Sequence, residues 1–232
     1  MTLYIIPTPI GNIKDITLRA LEVFKENEIF LCEDTRVTKK LLDLLNIDSA
    51  DKKFIPYFEH NERKKISEVV DLLKSGRDLI LVSDAGTPLV SDPGFPLIRK
   101  LRELNDSEIK IVVLPGATSV TTALVSSGFP TDKFTFLGYI PRKPADRRKI
   151  FKSVIKSHMH IKSSYIMFES AVRIKSTLTV VKEIFKKNVE VCVCRELTKK
   201  FEELSFYKIE SLDVNKYKEP KGELVVLLRF ID

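Results

Sequence analysis

At 232 residues, 44% of them hydrophobic, the chain is long enough to bury one large core or two small ones. No apolar run reaches the length of a membrane-spanning helix, and no basic stretch with an apolar leader core precedes Leu3, so a cytoplasmic protein without a membrane partner is expected. The net charge of +7 is uneven: residues 1–132 carry 17 Lys+Arg against 20 Asp+Glu, net −3, and residues 133–232 carry 22 against 12, net +10, which points the second half toward a polyanion such as RNA.

Apolar runs at 3–6 and 29–32 flank a helical pattern at 17–25, in which Leu18, Leu21 and Phe24 share a face, giving one βαβ unit. Helical patterns continue at 37–45, 64–74 and 95–104, alternating with strands at 54–56, 78–82 and 111–114, and this alternation predicts a mainly parallel sheet. A further helix at 119–127 stops at Gly128, and Phe129-Pro130-Thr131-Asp132 reads as a linker. Beyond it the pattern changes to strands at 134–137, 164–168, 189–194, 201–209 and 223–230, with helices at 145–156 and 171–187. The last strands follow one another without a crossover helix, so the second sheet is predicted to be mixed. The expected organisation is an α/β protein of two domains, 1–128 and 133–232.

Three cysteines, Cys32, Cys192 and Cys194, have no metal-ligand spacing and an odd count. Cys192 and Cys194 alternate with valines and read as buried strand residues. His60, His158 and His160 read as solvated, and Lys199 as a surface lysine.

Polar loops follow four of the first five strands. Pro7-Thr8-Pro9-Ile10-Gly11-Asn12 occupies the place of a nucleotide loop but holds one glycine and two prolines, which lack the backbone donors a pyrophosphate needs. A nucleoside bound there is expected to lack a polyphosphate tail, and S-adenosylmethionine fits that description. Glu33-Asp34-Thr35-Arg36 puts two carboxylates and a guanidinium after the second strand, where Asp34 or Thr35 also suits a helix cap. Val82 to Gly94 is dense in Gly, Pro and carboxylates, and Pro115-Gly116-Ala117-Thr118-Ser119 follows the fifth strand. In open α/β sheets such loops converge on a ligand at the carboxyl edge.

Thr8-Pro9-Ile10-Gly11-Asn12, Glu33-Asp34-Thr35-Arg36, Ser83-Asp84-Ala85-Gly86-Thr87-Pro88 with Ser91-Asp92-Pro93-Gly94, Pro115-Gly116-Ala117-Thr118-Ser119 and Arg195-Glu196-Leu197-Thr198-Lys199, in this order, resemble the ribosomal small subunit methyltransferase I family of the tetrapyrrole methylase superfamily. The resemblance runs from Leu3 to about Leu228. It implies a two-domain tetrapyrrole methylase-like fold and transfer of a methyl group from S-adenosylmethionine to a cytidine ribose 2′-hydroxyl in 16S ribosomal RNA by a homodimer. It further implies a cofactor between the domains, touched by Ile10, Ala85, Gly86, Thr87, Val90, Leu124 and Val125, with Phe168 and Leu197 closing from the second domain. Two departures stand out. The family commonly continues into a small helical extension where this chain ends at Asp232, so the basic second domain is expected to do more of the RNA binding. Phe168-Glu169-Ser170-Ala171-Val172-Arg173 also lacks the family's Pro and His.

Methyl transfer to a hydroxyl needs alignment and a proton acceptor. Asp34, Arg36, Asp84 and Glu169 are the expected catalytic residues, with Glu33 and Asp92 as further candidates for the base. Arg142, Lys143, Arg147 and Arg148, in the densest basic segment at 141–152, are expected to contact RNA phosphates. The competing readings are a methyltransferase acting on a small tetrapyrrole-type molecule and a non-catalytic ribosome-binding protein of the same fold.

Overall fold

The computed structural model describes residues 1–218 and 221–231; the expected end of the second domain at 232 lies outside them. The chain divides into two compact units, Met1–Thr118 and Ser119–Asp232.

In the first unit, strands β1 (Thr2–Ile5), β2 (Ile29–Cys32), β3 (Lys53–Pro56), β4 (Leu79–Val82) and β5 (Lys110–Val113) form one wholly parallel sheet in the order β3-β2-β4-β1-β5. Strands β2 and β4 are buried along their whole length. Their unbroken apolar sequence follows, because helices cover both faces of a parallel sheet. Alternate residues sort between the faces. Leu3, Leu31, Leu79 and Leu81 pack against Val69, Leu73, Leu97 and Leu101, which come from α3 (Glu62–Lys74) and α4 (Phe95–Leu104). Phe30, Cys32, Ile80 and Val82 pack against Ala20, Val23, Phe24 and Leu42 of α1 (Leu18–Glu26) and α2 (Thr35–Leu44). Each large apolar side chain so buried contributes about 1.5–3 kcal/mol.

In the second unit, β6 (Phe134–Tyr139), β7 (Ser164–Ser170), β8 (Val189–Arg195), β9 (Glu203–Lys208) and β10 (Glu223–Phe230) form a mixed sheet in the order β6-β7-β10-β8-β9, with only β6 and β7 parallel. On one face, Tyr165, Met167, Val191, Val193, Val226 and Leu228 pack with Phe151 and Val154 of α6 (Pro144–His160) and with Leu178 and Val181 of α7 (Ile174–Phe185). Helix α5 (Ser119–Ser127) runs against β7, β8 and β10, and so belongs with this sheet. The partition falls after Thr118 and not at the expected domain end at 128, so α5, Gly128 and the expected linker at 129–132 all lie in the second unit.

Most elements fall where the pattern predicts them, with boundaries that move by a few residues. The helix expected from 171 begins at Ile174, because 171–173 form a turn, and the helix expected to end at 156 continues to His160. Strand β6 runs on to Tyr139 through a bulge, where Phe136 pairs with Ile166 and Tyr139 with Phe168. Gly138, just past the expected strand end at 137, absorbs that extra residue at φ +66°. His158 is also not solvated: it stacks on Phe230 at 4.0 Å between ring centroids. Cys192 and Cys194 are buried, as expected.

Candidate active site

Because β4 lies between β2 and β1, its loop at 83–94 touches the loops of both neighbours. On the β1 side, the Thr8 N–H donates to the Gly86 carbonyl at 2.9 Å and the Gly86 N–H donates back to Thr8 at 3.0 Å. Gly86 holds φ +82°, and a Cβ there would sit 3.3 Å from Cγ2 of Ile10, so the two loops meet at the limit of backbone approach. The Thr87 hydroxyl donates to the Ala117 carbonyl at 3.0 Å and ties in the loop after β5. This half of the edge is uncharged. Ile10 and Gly86 are buried, Thr87 is half-buried, and Ala85 and Val90 are exposed.

On the β2 side the edge is acidic. The Asp34 N–H donates to Oδ1 of Asp84 at 3.0 Å, and the Asp84 N–H donates to Oε2 of Glu33 at 3.3 Å, a reciprocal exchange between the two loops. The four carboxylates are not equivalent. Asp34 caps α2 by accepting the Arg36 N–H at 2.8 Å and also takes the Arg36 guanidinium on both oxygens, which holds its pKa down at about 2. Burial and the neighbouring Glu33 raise the pKa of Asp84. Asp92, hydrogen-bonded with Ser83, rises to about 7 through burial first, then through Glu33 and Asp84. The sequence marks Asp34 and Asp84 alike as catalytic, whereas the structure makes Asp34 an ionised helix cap and raises the proton affinity of Asp84. Arg36, with 88% of its side chain exposed, is held by Asp34 alone among the described ion pairs.

The remaining expected residues lie in the second unit. Leu124 is buried on α5, whereas Val125 is 73% exposed. Leu197 is buried between Glu196 and Thr198, both at positive φ. Phe168 meets Phe136 and Tyr139 edge to face.

Two residues need correcting. Arg147 is not an exposed phosphate contact: it is buried and donates to the carbonyls of Pro141 at 2.9 Å and Arg142 at 2.7 Å, to Thr177 at 3.2 Å and to Ser176. A guanidinium engaged on four sides inside the protein has nothing left for a phosphate. Glu169 is likewise buried. Its Oε2 accepts from the Thr177 hydroxyl at 2.5 Å, while Oε1 accepts the Ser170 N–H at 2.7 Å and pairs with Arg173 at 2.7 Å. Arg173 in turn donates to the Ile140 carbonyl at 3.0 Å. Arg147, Thr177, Glu169 and Arg173 thus form one buried network that clamps the backbone at 140–142. Sequence reasoning missed its purpose, although a lone Glu inside an apolar strand with Arg four residues later was the signal. Arg142, Lys143 and Arg148 are exposed, with Arg148 paired to Glu183 at 2.8 Å. Lys199 bridges Glu196 at 3.0 Å and Glu223 at 2.9 Å rather than standing free on the surface.

The second unit also holds a cavity of about 370 Å³ lined by Phe129, Glu190, Tyr207 and Arg229 among others, and no expected site residue lines it. No helix among the described residues is long and apolar enough to cross a membrane.

Residues 2–213 match the Tetrapyrrole (Corrin/Porphyrin) Methylases. A protein of Rickettsia prowazekii named ribosomal RNA small subunit methyltransferase I is 43% identical over 228 residues, which cover 97% of this chain and 77% of that protein. A protein of Thermotoga maritima with the same name is 40% identical over 227 residues, covering 97% of each. Among solved structures, the methyltransferase CobJ superposes with a TM-score of 0.71 at 16% identity, covering 99% of this chain and 93% of that one.

Two outcomes follow from the geometry. The folded pKa of Asp92, about 7, lies above its unfolded value of 3.8, so the folded chain keeps a proton that the unfolded chain releases, and stability is lost as pH rises between these values. Asp92→Asn therefore melts like the wild type in mild acid and at a higher temperature above neutrality; equal melting temperatures throughout would contradict the buried-acid assignment. Arg147→Met, which takes the donor from two carbonyls and from the Thr177 and Ser176 hydroxyls, costs about 3–5 kcal/mol in denaturant unfolding. Arg148→Met changes little, and similar losses for the two variants would contradict the clamp.

Proposed function

The chain belongs to the ribosomal RNA small subunit methyltransferase I family, and on that footing we propose that it transfers a methyl group from S-adenosylmethionine to the ribose 2′-hydroxyl of a cytidine in 16S ribosomal RNA. The observation that carries the chemistry is the meeting, around the β4 loop, of an uncharged seat and two carboxylates, Asp84 and Asp92, of raised proton affinity. The shared name of relatives that match nearly the whole chain supports the substrate.

The seat fits S-adenosylmethionine better than a polyphosphate nucleotide. Pro7 and Pro9 have no N–H, the Thr8 N–H is already given to Gly86, and no lysine stands in the loop. Ile10 and Val90 supply apolar wall, and the backbone of Ala85, Gly86 and Thr87 supplies polar contacts without charge. When bound, the cofactor supplies an electrophilic methyl group on a sulfonium.

The chain's own part is alignment and proton acceptance. Asp84 is exposed, is fixed by the Asp34 N–H, and has its proton affinity raised by burial and by Glu33; it takes the proton of the attacking hydroxyl. Asp92 stands half-buried beside it, its own proton affinity raised by burial and by Glu33 and Asp84. Asp34 sets the loop, and Arg36 is left as an exposed cation at the same edge. On the basic second unit, Arg142, Lys143 and Arg148 meet phosphates, while Arg147 and Glu169 hold the segment that presents them. The chain acts on the small ribosomal subunit in the cytoplasm, as a homodimer.

Labelled methyl transfer to small subunits lacking ribose methylation, followed by digestion and nucleoside mass analysis, is expected to yield 2′-O-methylcytidine. Asp84→Asn is expected to lower the rate about 10²–10⁴-fold with unchanged melting. Label on a base, or none on subunits despite cofactor binding, would overturn the substrate; wild-type turnover by the variant would overturn the role of Asp84.

A further inference from the structure

We infer that Phe136, Tyr139 and Phe168 form a platform on which an unpaired base of the RNA substrate stacks, with Tyr139 as the contacting ring. The inference rests on the proposed RNA substrate and adds a residue that positions it.

Side chains alternate along a strand, so residues 136 and 139 of a regular β6 would face opposite sides. The bulge prevents this. Three steps along β6, from 136 to 139, match two along β7, from 166 to 168, and Gly138 at φ +66° takes up the difference. Tyr139 is thereby turned to the same side as Phe136. Both rings meet Phe168 edge to face, at 4.8 Å from Phe136 and 5.3 Å from Tyr139 between centroids. A bulge that re-aims one side chain is a device, and here it gathers three aromatic rings at the edge of the sheet.

The cluster is not a closed core. Tyr139 remains 60% exposed, although an aromatic ring of this size is among the groups most worth burying. Strand β6 is an edge strand paired only to β7, so no further strand covers it among the described residues. The chemistry beside it selects the occupant. Two residues after Tyr139 the basic segment begins, with Arg142 and Lys143 both exposed. The buried network fixes its backbone: Arg173 holds the Ile140 carbonyl, and Arg147 holds those of Pro141 and Arg142. An aromatic face joined to a rigid cationic segment is the combination that binds single-stranded nucleic acid, the ring taking the base and the cations the phosphates. A purely apolar partner would leave the cations unused, and a small anion would leave the rings unused.

The test measures affinity for small-subunit ribosomal RNA free of ribose methylation, as a function of salt, for wild type, Tyr139→Ala, Tyr139→Phe and the Arg142→Ala/Lys143→Ala double variant. Tyr139→Ala is expected to weaken binding roughly 5- to 150-fold, with the salt slope and melting temperature of the wild type. Tyr139→Phe binds as the wild type, because the ring and not the hydroxyl does the stacking. The double variant lowers the salt slope by about 0.7 per lost phosphate contact. Unchanged affinity in Tyr139→Ala, an equal loss in Tyr139→Phe, or a wild type that binds no RNA would overturn the platform. Binding is read without turnover: a wild type that binds this RNA through Tyr139 but never methylates it overturns the proposed reaction and leaves the platform standing.

Discussion

The position of β4 between β2 and β1 is the constraint on which the candidate site depends. A loop at the end of a central parallel strand has a neighbour on each side, and the two neighbours here are chemically opposite. Toward β1 the contact is backbone to backbone, through the mutual hydrogen bonds of Thr8 and Gly86. Toward β2 it is backbone to carboxylate, through Asp34, Asp84 and Glu33. One loop thus joins an uncharged seat to a group of acids, and it can do so only while the sheet holds its strand order. The apolar runs of β2 and β4, which read as simple core, are what set that order.

The acids show how neighbours divide similar groups between roles. Asp34 and Asp92 differ in pKa from about 2 to about 7 although both serve the same edge. Asp34 has an arginine fork and a helix N-terminus, both of which favour the charged form; Asp92 has burial and two other carboxylates, which disfavour it. Pairs of titratable groups pushed apart in this way mark acid–base sites as well as structural ion pairs. A buried network in the second unit shows the structural case. Both oxygens of the buried Glu169 are engaged by Thr177, Ser170 and Arg173, so it serves the backbone at 140–142 and not a reacting atom.

Much of this was legible in the residues. Both sheets, their helices and the loops at the carboxyl edge follow from hydrophobic period and turn residues, and the parallel and mixed characters follow from the presence or absence of crossover helices. The order β3-β2-β4-β1-β5 was not legible, because pairing between distant strands leaves no local trace when every strand is a short apolar run. Arg147 was misread for a related reason. In a segment with Arg142, Lys143, Arg148 and Lys149, local composition gives one arginine no mark that its neighbours lack, and only the approach of α7 shows that Arg147 points inward. The strand expected at 134–137 stops short of Tyr139, because a glycine that ends a strand and one that bulges it, as Gly138 does, look alike in sequence. That difference decides where Tyr139 points.

The central claim is that a carboxylate group raised in proton affinity by its neighbours accepts the proton of the target hydroxyl. Its most direct test is the single-turnover rate of methyl transfer against pH for the wild type and Glu33→Gln. Glu33 raises the proton affinity of both Asp84 and Asp92, so the wild-type rate should climb with pH to a plateau, and the variant's climb should come at lower pH. A wild-type rate that does not rise with pH, or a midpoint that Glu33→Gln leaves in place, would contradict the account.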